Sequence, residues 1–151
     1  MRRSTAAIAI IRRQHAGQTV WLAQWNDAWQ GYHFVGGHKY RDESFRECVA
    51  REINEELGLA VDEFVVAENP LKQVSYIAQS RSAQEDTLYT MEVFEVQVVG
   101  ERAELALRNN PNNRWLTEVE IRSRRCTDGK AVSETMELLL DELDRDPNGL
   151  P

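Results

Sequence analysis

Glu52, Glu55 and Glu56 crowd into one short stretch directly after Arg51, and carboxylates so placed either hold a hard cation or exchange a proton. Which of the two they do depends on the surface they share. Ser44 followed by Glu47 is a capping-box pattern, and Gly58 stands where a helix commonly stops. Between them Phe45, Val49, Ile53 and Leu57 recur at helical spacing, which predicts an amphipathic helix from about Phe45 to Leu57. On a wheel of about 100° per residue these four span roughly 0° to 120°. Glu56 then falls near roughly 20°, Glu52 near roughly −20° and Glu55 near roughly −80°. Glu56 is therefore inside the apolar arc and Glu52 at its border. A lone ionised carboxylate there costs several kcal/mol in desolvation, or it takes up a proton. A cation shared by two carboxylates one turn apart resolves the conflict. Exposure at the edge of a cleft is the competing reading, and a solvated acidic face suits Glu47.

From Gly37 to Leu59 the chain reads GHKYRDESFRECVAREINEELGL. This resembles the Nudix box: G, five residues, E, seven residues, then R-E-U-x-E-E-x-G-U with U apolar. Gly37, Glu43, Arg51, Glu52, Ile53, Glu55, Glu56, Gly58 and Leu59 meet every defined position. The loop, capped helix and glycine stop are the context that such a motif needs.

The resemblance implies an α/β fold, the Nudix α/β/α sandwich with a mixed β-sheet, and an enzyme that cleaves a diphosphate linkage in a nucleoside diphosphate joined to another group X. It implies Mg²⁺ or Mn²⁺ held by Glu52 and Glu56, with Glu55 a third ligand and a backbone oxygen around Gly36 and Gly37 contributing. Arg51 and Glu43 match the pair that ties the helix to its preceding loop, with an indirect part in catalysis. In the family the general base comes from the box or from a later glutamate; Glu101, Glu104, Glu118 and Glu120 are candidates by position, each more simply a solvated acid. The segment from Trp115 to Ile121 resembles the late strand and its turn, and the one at 133–143 the closing helix. Val35 stands where the family usually has proline before the glycine pair. It supplies an extended strand end without proline's fixed φ, so a looser loop is expected there. Silent Nudix domains that bind a nucleotide without cleaving it are the alternative, but they are expected to lose box acids that this sequence keeps. A diphosphate isomerase on the same fold needs an active-site cysteine, which neither Cys48 nor Cys126 is placed to supply.

Other residues could meet a substrate. Trp25, Trp29 and Tyr32 cluster before the box; Trp25 and Tyr32 read as packed strand residues, while Trp29 lies in a polar turn where an indole could stack on a base. Tyr76 stands at a spacing from the box that resembles some dinucleoside-polyphosphate hydrolases. His15, His33 and His38 show no metal-ligand spacing, although His38 beside Gly37 could approach a phosphate.

These residues need elements to position them. Thr5–Ile11 and Thr19–Trp25 flank a turn at His15–Gln18 and predict a hairpin, followed by a strand over Tyr32–Val35. Leu71–Gln79 and Thr87–Val99 read as long strands around the polar loop Ser80–Asp86. Asn109–Asn113 is a turn cluster, Arg114–Leu116 a short strand, and Ser133–Leu143 an amphipathic helix with Met136, Leu139, Leu140 and Leu143 inward. The expectation is one domain over 1–151 with two principal helices and a frayed tail over 144–151.

Composition sets the bounds. With 42% apolar and 28% charged residues the chain can bury a core. A formal charge of −7 argues against an extended nucleic acid or an anionic membrane as partner, and leaves a polyphosphate substrate in need of a metal ion or local cations. Two cysteines without paired spacing predict reduced thiols and a cytoplasmic setting. Arg12 and Arg13 cut short the apolar run Ala6–Ile11, which reads as a strand rather than a signal peptide. The family resemblance is compatible with a homodimer, since dimers are common among its members.

Overall fold

The run Ala6–Ile11 is apolar on both faces, and such a strand belongs in the middle of a sheet. In the computed structural model, which describes residues 1–80 and 83–145, it forms β1 (Arg2–Ile10), parallel to β7 (Asp86–Val98) and antiparallel to β4 (Gly31–His38). The predicted hairpin is corrected accordingly. Its first arm is a separate strand, β2 (Arg12–His15), which pairs with β3 (Gln18–Asn26) around a tight Ala16–Gly17 turn. Burial on both faces draws Ala6–Ile10 inward, while the charged Arg12 and Arg13 go to the edge.

The strands among the described residues make one mixed sheet in the order β2-β3-β4-β1-β7-β5, with β5 at Phe64–Val66. β6 (Lys72–Gln79) also pairs with β7, and β8 (Asn113–Thr117) with β3. Alternation along the strands divides the core. Ala7, Ala9, Leu22, Val35, Phe94 and Val96 face the helix α1 (Phe45–Glu52). Ile8, Ile10, Trp21, Phe34 and Val93 face α4 (Glu134–Asp144), whose Met136, Leu139 and Leu140 are buried against them. Helices on both faces of a mixed sheet are the expected α/β sandwich.

Two further helices, α2 (Glu101–Asn109) and α3 (Glu118–Ser123), raise the expected two principal helices to four among the described residues. α2 escapes sequence reading because only Ala103 and Leu107 of its residues are buried, so its apolar stripe is short. Three-residue β5 is too short to show a period. The expected frayed tail falls mostly on residues 146–151, outside the described residues; Asp144 ends α4. Among the described residues no helix is long and apolar enough to cross a membrane.

α1 starts as its sequence predicts. The Ser44 hydroxyl accepts from the Glu47 N–H at 3.0 Å, and the Glu47 carboxylate accepts from the Ser44 N–H at 2.9 Å. Ser44→Ala should therefore cost about 1 kcal/mol of stability. Urea unfolding would show this as a lower midpoint at unchanged slope.

Candidate active site on the capped helix

The helix does not end as an ordinary α-helix. After Glu52 the backbone widens into a π segment, Ile53–Leu57, closed by Gly58 in the left-handed region at φ 69°. A π turn rotates less per residue than an α turn, so the wheel overstates how far Glu56 moves into the core. Glu52 is the more buried, at 9% exposure, while Glu56 is half-buried at the rim. π turns of this kind recur at functional sites.

Glu52 packs onto the glycine pair. A methyl group at Gly37 would lie 2.5 Å from Glu52 Oε1, so glycine is what lets the carboxylate rest against the strand backbone. Glu56 sits beside it within hydrogen-bonding reach, and the Gly36 N–H also donates to Glu56. Glu56 Oε2 is buried with no hydrogen-bond partner. Burial, and then the neighbouring Glu52, push the Glu56 carboxyl up to about 8.

Arg51 is the local counter-charge. Its Nε and Nη2 grip both oxygens of Glu43 at 3.0 and 2.7 Å, and its Nη2 donates to the His38 carbonyl at 3.0 Å. Its Nη1 reaches Glu52 at 3.0 Å and the more exposed Glu55 at 3.3 Å, and its plane lies 3.8 Å over the Tyr40 ring. The guanidinium holds the Glu43 carboxyl down at about 2. Buried Cys48, pushed up to about 11 chiefly by burial, is an inert thiol beside this pair. Both cysteines are free.

The other candidates are dispersed. His38 is exposed, with Nδ1 3.1 Å from the Ser4 hydroxyl. Tyr76 stacks on Tyr89 on the α4 face, opposite the carboxylates. Trp25 and Tyr32 pack edge to face on that side too. Trp29 is 51% exposed in the β3–β4 turn, with its ring 5.5 Å from that of His33. Glu104 is held by Arg13, Glu118 by Arg122, and Glu120 caps α3. Glu101 lies exposed in the first turn of α2.

Sequence reading does not single out Gln24, and His33 stands in it only as a histidine without metal-ligand spacing. Gln24 and His33 are paired across β3 and β4, on the sheet face that carries the carboxylates. Burial pushes the His33 imidazole down, toward its neutral form, against the pull of Glu52. The available signal was polarity in phase with Leu22 and Val35 on strands otherwise apolar on that face.

An orphaned carboxylate oxygen beside a second carboxylate is the donor set that a hard divalent cation takes. Glu52 and Glu56 fit such an ion. Among the described residues no cluster of three or more acidic, histidine or cysteine side chains is gathered to hold one; Glu55 pairs with Arg51.

A NUDIX domain model matches residues 1–134 of the chain. No curated protein matches it. Among solved structures, an Ap4A hydrolase from C. elegans is 16% identical, with 94% of this chain and 96% of that one covered and a TM-score of 0.60. NrtR from Shewanella oneidensis complexed with a 27mer DNA is 12% identical at a TM-score of 0.63, with 92% of this chain and 59% of that one covered. The NUDIX domain of that NrtR, complexed with ADP ribose, is 13% identical at a TM-score of 0.56, with 95% and 86% covered. At such identities the likeness is one of fold.

The raised Glu56 carboxyl ties stability to pH. The folded value lies above the unfolded one, so the native state holds an extra proton between about 4.5 and about 8. That contribution is fully present below the unfolded value and is lost as pH rises through the folded one. In chelator, the protein should lose stability across this window. Glu56→Gln should flatten the profile and be more stable above it by about 1–2 kcal/mol. Thermal unfolding at both ends of the window checks this; an unchanged profile in the variant contradicts it.

Proposed function

The chain belongs to the Nudix hydrolase family, and on that premise we propose that it is a Mg²⁺- or Mn²⁺-dependent hydrolase of a nucleoside diphosphate joined to another group X. The observation that carries this reading is the unpartnered, buried Oε2 of Glu56 beside Glu52, on a helix whose loop and box residues are all present. Bound there, a divalent ion would offset diphosphate charge and lower the pKa of the attacking water.

The chain's own residues do the rest. Glu52 and Glu56 would hold the ion against the Gly36–Gly37 stretch of β4, with Glu55 available at its outer side. Arg51, clamped by Glu43, keeps the helix docked on its loop and balances the carboxylates until they are loaded. Water attacks one phosphorus, a new P–O bond forms, and the bridging P–O bond breaks. Trp29 offers an exposed indole over His33 at the rim of this face, suited to stacking on a nucleobase. His38 stands at the loop where a phosphate would enter. Tyr76, on the opposite face, is left as a packing residue.

A nucleotide-binding regulatory domain is the other reading, favoured by the likeness to NrtR, of whose length this chain spans 59%. A panel of nucleoside triphosphates, ADP-ribose, dinucleoside polyphosphates and nucleotide sugars with Mg²⁺ or Mn²⁺ separates the two. The hydrolase reading expects turnover of at least one compound. Tight binding with no turnover of any would favour the regulator. Glu56→Gln should lower kcat at least about a hundredfold while the fold persists. Trp29→Ala should raise KM about tenfold with kcat nearly unchanged, as expected for a lost base stack.

A further inference from the structure

The π segment carrying Glu56 must end somewhere, and the last carbonyls of a helix lack partners within it. Gly58 N–H takes Asn54 O at 3.1 Å before the chain turns away. The Glu56 carbonyl receives its donor from outside the helix: Gln24 Nε2, at 3.1 Å, from the middle of β3. Gln24 is only 7% exposed, and a glutamine so buried needs its amide satisfied. Its Nε2 also donates to Asn113 Oδ1 at 2.8 Å, across the β3–β8 register that pairs these two residues. Asn113 Nδ2 in turn donates to Leu107 O at 3.1 Å, near the end of α2. Asn110 Nδ2 approaches the Glu56 carbonyl from the α2–β8 loop at 3.4 Å.

We infer that Gln24, braced by Asn113 and assisted by Asn110, is a positioning residue that aims the Glu56 carboxylate by fixing its backbone carbonyl. The inference rests on the reading of Glu52 and Glu56 as metal ligands. Carbonyl and carboxylate belong to one residue, so a hydrogen bond that sets the peptide plane after Glu56 also sets where its side chain starts. On the other side Gly36 N–H reaches the Glu56 side chain. Glu56 is thus held from β3 through its backbone and from β4 through its carboxylate. The two strands are neighbours in the sheet, with Gln24 opposite His33. Their relative position is therefore fixed, and so is the gap in which an ion would sit.

Gln24→Met keeps the unbranched shape and bulk and removes the amide. The experiment is Mn²⁺ titration by calorimetry, for wild type and variant, well below the unfolding transition of each. Wild type is expected to bind, and Gln24→Met to bind about tenfold more weakly, the size of effect seen when a group orienting a metal ligand is lost. A variant with a lowered melting temperature but unchanged Mn²⁺ affinity overturns the inference, since the amide would then serve stability alone. Failure of the wild type itself to bind Mn²⁺ overturns the metal reading, and this inference with it. Should Gln24→Met not fold, Asn110→Ala at the half-buried loop carries the test. An affinity about threefold weaker supports the inference, and an unchanged one overturns it.

Discussion

The structure turns on two carboxylates held side by side at the edge of a core. Glu52 rests against Gly37 with no room for a side chain between them, and Glu56 adjoins it with one oxygen unpartnered. Removed from water, such a pair repels itself, and a folded chain tolerates it only if a proton or a cation arrives. Arg51 relieves part of the strain, but its strongest hold is on Glu43, so it balances Glu52 and Glu55 from one side and leaves Glu56 to find its own partner.

Much of the surrounding architecture serves that pair. The capping box fixes where α1 begins, and Val49, Ile53 and Leu57 fix which face it buries. β1, buried on both sides between β4 and β7, gives β4 a rigid neighbour, and β4 delivers its glycine pair under the helix. The Gln24–Asn113 amides then join the end of the helix to β3 and β8. A carboxylate pair assembled this way needs the sheet register to be correct, because a one-residue slip of β3 would turn Gln24 to the other face.

The helix, its cap, its glycine stop and the unusual burial of its acids were legible in the sequence, because a strong period and local capping chemistry set them. So was the general α/β layout, since long strands and the closing helix carry clear patterns. The hairpin was misassigned because alternation in β1 is masked by burial on both faces, and only the pairing partners show that Ala6–Ile10 is central. The π segment was not legible, since nothing in INEEL distinguishes it from α-helix. Its consequence is that Glu52 lies deeper than Glu56, the reverse of the wheel. Gln24 was passed over and His33 given no role because a lone polar residue on a strand acquires meaning only from what packs above it, and the spacing of Tyr76 from the box does not report that it takes the α4 face of the sheet.

On the proposed function, Glu56 exchanges its proton for a divalent ion shared with Glu52. Calorimetric Mg²⁺ or Mn²⁺ titrations in buffers of different ionisation enthalpy measure the protons released on binding. At neutral pH the account predicts release approaching one proton per ion, affinity that rises with pH up to about 8, and loss of both in Glu56→Gln. Binding without proton release, and equally tight in that variant, would contradict it.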